Sequence, residues 1–247
     1  MIHVKSEKEI DLMREPCKIL RDTFAYVGSE IKAGMTTKEV DALVERYIRS
    51  SGAYPSCLGY GGFPASACIS VNEMVVHGIP DERVLKDGDI VSVDVCAYKN
   101  GYHGDACRTF CIGNVSEDVR RLVQVTEECF FKAVEKLRAG TPLYDIGYRV
   151  QKHAEAHGYG VVRSYTGHGI GKEMHEDPSV PNFGKLGTGL RLKAGMVLCV
   201  EPMITMGSWK VRLLDDGWGA VTVDGKPAAH YENTLVVRED GVEILTL

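Results

Sequence analysis

The chain has 247 residues, 44% of them hydrophobic and 26% charged, with a formal net charge of −5. That is ample apolar material for a large core; the absence of a basic field excludes nucleic acid as a main partner, and no low-complexity tract offers a disordered interaction arm. The start MIHVKSEKEIDLM has no apolar run behind a basic end, no stretch approaches a membrane span, and the eight cysteines (Cys17, Cys57, Cys68, Cys96, Cys107, Cys111, Cys129, Cys199) contain no CxxC pair, so the expectation is a cytoplasmic protein with reduced thiols.

The first element read along the chain is a helix within AGMTTKEVDALVERYIRSSG (33–52). Thr36 with Glu39 makes a capping box, the apolar residues follow helical spacing, and Gly52 closes it. CLGYGGFPASAC (57–68) then sets Tyr60 and Phe63 among glycines with neither helical nor strand period, which suits a pocket wall. LKDGDIVSVD (85–94) reads as a short strand ending on Asp94, and Asn100-Gly101 predicts a hairpin turn that sets Asp105 on the neighbouring strand.

The second half repeats this pattern. AGTPLYDIGYRVQKHAEAHG (139–158) matches the first helix at an offset of 106, with Thr141 as N-cap, Pro142 at the first helical position and Gly158 as the stop. LKAGMVLCVE (192–201) matches 85–94 at an offset of 107 and ends on Glu201. Asp224-Gly225 marks a second hairpin turn, after which His230-Tyr-Glu232 resembles His103-Gly-Asp105. A period above 100 residues denotes a duplicated half-domain, roughly 33–110 and 139–237, inside one catalytic domain 1–247. Its matched residues are then expected to face each other across a pseudo-two-fold axis.

Between these blocks lies SYTGHGIGKEMHEDP (164–178), where His168 and His175 stand seven apart. Gly167, Gly169, Gly171 and Pro178 argue against a helix. The expectation is that the glycines let the backbone bend, so that both rings face one cavity.

Each of Asp94, Asp105, Glu201 and Glu232, taken singly, reads as a solvated carboxylate at a strand end. At matched places of two repeats they converge, and converging carboxylates repel unless cations neutralise them. Two divalent metals with bridging carboxylates answer that need, and His168 fits as a further ligand. A set of mostly oxygen with one nitrogen is unlike a thiolate zinc site and suits Mn, Fe, Co or Zn. No Walker loop, GxSxG elbow, HExxH or dinucleotide fingerprint competes.

With the strings SVNEMVVHGIP, TGHGIG, MHEDP and VEPM, the set Asp94, Asp105, His168, Glu201 and Glu232 resembles the type I methionine aminopeptidases along essentially the whole chain. The resemblance implies the α+β pita-bread fold, a curved antiparallel sheet with helices outside and two metals within. It implies that Asp105 and Glu232 bridge the metals, that His168 and Glu201 complete one site, and that Asp94 chelates the other. A hydroxide held between the cations would attack the first peptide bond. Glu201 would relay a proton, His175 would serve the oxyanion, and His77 would contact the substrate backbone. Cys57, Tyr60, Phe63, Cys68, Met174 and Trp218 would line the methionine slot. Met174 and Phe63 depart from the family's commonest residues, which implies a somewhat more adaptable slot.

The partners implied are the N-terminal Met-peptides of nascent chains and a transient ribosome contact, with a monomer as the default. Prolidases and X-prolyl aminopeptidases share all five ligands but usually carry an extra N-terminal domain. The type II branch carries an insertion for which the 25 residues between His175 and Glu201 leave little room. An inactive binding module of the same fold is the rival from a different class; such relatives lose ligands that are all present here. The other histidines read as structural, with His230 a candidate to support the nearby ligand Glu232.

Overall fold

The computed structural model describes residues 2–247. Helix α1, Glu7–Glu30, begins at a capping box in which Ser6 and Glu9 satisfy each other's backbone N–H, and it buries Ile10, Met13, Cys17, Leu20, Phe24 and Val27. Helix α2, Thr37–Ser50, carries the predicted box between Thr36 and Glu39, and Gly52 follows its end at φ +68°.

Strand β1 (Tyr54–Pro55) precedes a single 3₁₀ turn at Tyr60–Gly62. Strands β2 (Cys68–Val71) and β3 (Met74–Val76) lead to the long hairpin of β4 (Ile90–Lys99) and β5 (Tyr102–Cys111). Asn100 and Gly101 turn that hairpin, both at positive φ as a type I′ turn requires. Helices α3 (Glu117–Val134) and α4 (Tyr144–Ala156) follow. Then come β6 (Gly160–Val161), β7 (Gly167–Gly169), β8 (Glu176–Val180), β9 (Val197–Val200) and β10 (Met203–Thr205). The chain closes with β11 (Val211–Leu213), β12 (Ala220–Thr222), β13 (Ala228–His230), β14 (Glu232–Val237) and β15 (Val242–Ile244).

The main sheet runs β1-β4-β5-β14-β9-β7-β8, with β2 added on β4 and β15 on β14, and its strand pairs are all antiparallel. Strand alternation divides this sheet by face. Val91, Val93, Val95, Ala97 and Ala106 point to one side and pack with α1 and α2. Leu198, Val200, Leu235 and Val237 pack with α3 and α4. Of the alternate residues, Asp94, Asp105 and Glu232 carry the polar chemistry, whereas Val197, Cys199 and Val236 pack with Ile10, Met13 and Cys17 of α1.

Three local expectations differ from what is observed. Asp94 is not a strand end: VCAYK continues the β-forming run, so β4 extends to Lys99 and places Asp94 mid-strand. Thr141 and Pro142 do not cap α4, which starts at Tyr144; Pro142 instead bridges Arg191, as Thr36 bridges Val84. Asp224-Gly225 does not make a two-strand hairpin, because β12 pairs with β11 and β3 whereas β13 pairs with β10. The true hairpin joins β11 to β12 around Asp216-Gly217, where Asp216 Oδ1 accepts from the N–H of Trp218 and Gly219.

Candidate metal centre

The sheet register brings the ligand candidates together. Cys68 lies opposite Asp94, Asp94 opposite Cys107, Cys96 opposite Asp105, and Cys107 opposite Glu232. Asn233 pairs with Val200, so Glu201, one residue past β9, comes alongside Glu232. Gly169 pairs with Leu198, which carries His168 to the same face as Cys199 and Glu201. Side chains from five strands or strand ends in both halves thus converge on one side of the sheet.

They meet in a cavity of about 330 Å³ lined by all five candidates together with His77, His175, Cys57, Tyr60, Phe63, Cys68, Met174 and Trp218. Every residue expected at the site lines it. The cavity also takes in Val76, Cys96, Ser164, Tyr165 and Thr166, which sequence reasoning missed. Cys96 had a usable signal: it stands two after Asp94 and so shares its face.

Asp105, Glu201 and Glu232 are buried, and Asp94 is half-buried. Burial is the main cause that pushes all four carboxyls above their ordinary range, and neighbouring carboxylates add to it at Asp94, Glu201 and Glu232. Asp105 Oδ1 and Glu232 Oε1 are buried without a hydrogen-bond partner. His168 Nδ1 lies 2.9 Å from Gly169 O, which assigns the hydrogen to Nδ1 and leaves the Nε2 lone pair inward. Nε2 stands 3.7 Å from Asp105 Oδ2 and 3.7 Å from Glu201 Oε1, beyond hydrogen-bond contact. Burial holds this imidazole neutral, with its pKa down at about 3. Orphaned carboxylate oxygens around an inward imidazole lone pair fit a divalent cation, which would remove the repulsion and satisfy both. His230, also buried, stands 3.8 Å from Glu201 Oε2 and outside the cavity lining.

The two histidines of the glycine-rich stretch do face one cavity, with ring centroids 4.3 Å apart. The glycines achieve this otherwise than expected. Gly167, Gly169 and Gly171 have no positive φ; a side chain at them would collide with the next strand or its partner. A Cβ on Gly167 would lie 2.3 Å from Cys199 O, and one on Gly169 2.2 Å from Asp177 O. They permit close strand approach, not bending. Gly171 makes room for Lys5, whose ammonium forms a 2.6 Å ion pair with Glu176, beside His175.

His175 stands at the cavity mouth with Nδ1 2.8 Å from the Tyr60 hydroxyl, and burial lowers its pKa. His77 adopts the left-handed region at φ +58°, an uncommon conformation for such a residue, and its ring meets Tyr165 edge-on at 5.4 Å. The next residue, Gly78, lies against β2, where a Cβ would come 2.3 Å from Ile69 O. On the apolar side, Cys57, Phe63, Cys68, Cys96 and Met174 form one buried cluster, against which Trp218 packs edge-on to Phe63 at 5.1 Å.

The model of metallopeptidase family M24 matches residues 11–239. This chain belongs to metallopeptidase family M24. Divalent metal use follows from that membership and agrees with the ligand face. The M24 chain is 53% identical to a methionine aminopeptidase of Clostridium perfringens over 100% of its own length and 99% of the relative's. Its structure is similar to that of methionine aminopeptidase from Rickettsia prowazekii, with TM-score 0.98, 43% identity and complete coverage of both chains. A prolidase from Pyrococcus furiosus shares the fold at TM-score 0.79 and 24% identity, but this M24 chain spans 65% of it. The expected pita-bread architecture, an antiparallel sheet with helices against its outer face, is therefore the observed one. Among the described residues no helix is long and apolar enough to cross a membrane.

Proposed function

We propose that the protein is a methionine aminopeptidase with a two-metal centre. The observation that carries this reading is one cavity holding both a carboxylate–imidazole face and an apolar slot of thiols, Phe63, Met174 and Trp218. Asp94, Asp105, His168, Glu201 and Glu232 would hold two divalent cations drawn from Mn, Fe, Co or Zn. Bound there, such ions polarise a peptide carbonyl and bring the pKa of water towards neutrality.

The remaining work falls to side chains. Glu201, which lines the cavity beside Glu232, moves a proton from the attacking water to the leaving amine. With its hydrogen on Nε2, His175 would accept from the Tyr60 hydroxyl, 2.8 Å away, on Nδ1 and offer Nε2–H to the carbonyl oxygen as charge develops. His77, held by the Val76–Gly78 backbone, contacts the substrate main chain beside the scissile bond. The methionine side chain enters among Cys57, Tyr60, Phe63, Cys68, Met174 and Trp218, where its thioether meets soft sulfur and aromatic edges. The substrates are the N-terminal Met-peptides of nascent chains in the cytoplasm, met by a monomer in transient contact with the ribosome. Full-length correspondence with methionine aminopeptidases supports the Met-peptide substrate.

The test is hydrolysis of Met-Gly-Met-Met beside Met-Pro, Leu-Gly and Ala-Pro peptides, after chelation and with each metal restored. Release of Met alone, lost on chelation and regained with metal, is expected. Preference for X-Pro bonds would move the protein to the prolidase side of the fold. Metal uptake without turnover on any peptide would make it a binding module.

A further inference from the structure

Helices α3 and α4 carry a second group of metal-binding side chains, none of which lines the cavity. His153 and His157 stand one turn apart at the end of α4, with ring centroids 4.6 Å apart. Glu128 reaches them from α3, and one ligand atom of each residue lies within 4.8 Å of the others. The surroundings aim these atoms. Arg121 Nη1 and Gln124 Nε2 hold Glu128 Oε1 at 3.0 and 2.9 Å, so Oε2 is left facing His153 Nε2 at 2.9 Å. His157 Nδ1 lies 2.9 Å from His153 O, which places its hydrogen there and leaves the Nε2 lone pair available.

The backbone is set in advance. Leu122, Val125 and Cys129 of α3 pack in one buried cluster with Ile146, Val150 and Ala154 of α4, so the imidazoles and carboxylate need no helix movement to meet an ion. His157 is exposed while His153 and Glu128 are half-buried, which gives an ion a direct approach. From these contacts we infer that Glu128, His153 and His157 form a surface site for a late divalent transition ion such as Zn²⁺, stapling α3 to α4. Two imidazole nitrogens and one carboxylate oxygen leave a fourth position for water. Arg121 and Gln124 then orient the carboxylate as outer partners commonly orient metal ligands. The ion takes the place of the hydrogen between His153 Nε2 and Glu128 Oε2, which shifts to Nδ1 or leaves to solvent.

The experiment is equilibrium dialysis of the full chain against Zn²⁺, with H157A and E128Q in parallel. The parent is expected to hold one more equivalent than either variant, or to hold that equivalent about tenfold more tightly. Release of Met from a peptide substrate is expected to be equal in all three, because neither residue touches the cavity. Zinc-edge absorption of the difference equivalent is expected to show imidazole scattering that is lost in H157A. Equal stoichiometry and affinity in the parent and both variants would overturn the site, whatever the peptidase assay shows. A Zn²⁺ loss matched by loss of peptidase activity would also overturn it, since the missing equivalent would then belong to the cavity.

Discussion

Replacing Gly169 by alanine tests why the chain puts glycines around His168. A Cβ there would lie 2.2 Å from Asp177 O and 2.7 Å from Asp177 C, both backbone atoms of the β7–β8 ladder. Favourable carbon contacts sit near 3.5–4.0 Å, so β8 must retreat by roughly 1 Å. Gly169 adjoins His168, and Asp177 is two residues after His175, so the retreat separates the two rings that the proposed mechanism needs together. A misplacement of about 1 Å costs on the order of 10²-fold in rate, and overpacking of this kind costs about 1–3 kcal/mol of stability. Steady-state release of Met from Met-Gly-Met-Met and thermal unfolding read the two effects. Gly241→Ala is the control, since its Cβ would meet nothing within 4 Å at an ordinary φ. If flexibility were the reason for the glycine, alanine would cost only its small backbone preference. A Gly169→Ala enzyme with parental kcat and an unshifted Tm would refute the close-approach argument.

Three further outcomes follow from the geometry. Tyr60→Phe leaves His175 Nδ1 without its 2.8 Å partner, so kcat should fall about five- to tenfold, the value of one hydrogen bond near 1 kcal/mol, with KM little changed; unchanged kcat would remove Tyr60 from a positioning role. Met174→Phe replaces a buried, flexible wall residue by a rigid one, so activity on norleucine or bulkier thioether substrates should drop relative to methionine; identical specificity profiles would sink the adaptable-slot reading. Asp41, which accepts from the N–H of Ser66 and Ala67, has its pKa pushed up to about 6, chiefly by burial, against about 3.9 when unfolded. The folded form therefore binds the extra proton between those values, and stability declines as pH rises from about 4 to about 6. Asp41→Asn should flatten that stretch of the Tm-versus-pH curve; equal slopes in both proteins would contradict the assignment.

The sequence reading succeeds where the deciding hydrogen bonds span few residues. The Thr36–Glu39 box, the Gly52 and Gly158 stops, and the Asn100-Gly101 turn all form as expected. Helices α1 and α3 are absent from that reading, although Ser6 and Glu9 offered α1 the same box signal as Thr36 and Glu39. Asp224-Gly225 carried the hairpin dipeptide, yet β13 pairs with β10, because pairing along β10 buries Ala228, Ala229 and His230. Local turn preference is weak against such burial.

Legible in the sequence alone are the α2 cap, the Gly52 and Gly158 stops, the β4–β5 hairpin, and the order of five ligand-type residues that resembles a metallopeptidase. Each of these rests on covalent spacing or on side-chain chemistry that needs no distant partner. Only the tertiary structure decided which atoms meet. Asp94 and Asp105 reach Glu201 and Glu232 through the pairing of β5 with β14 and β14 with β9, between segments far apart in the chain. The same pairing explains why Cys96 joins the cavity and why Gly167 and Gly169 can bear no side chain. Register is a property of the whole sheet, because shifting one strand by a residue would turn all of its side chains to the opposite face.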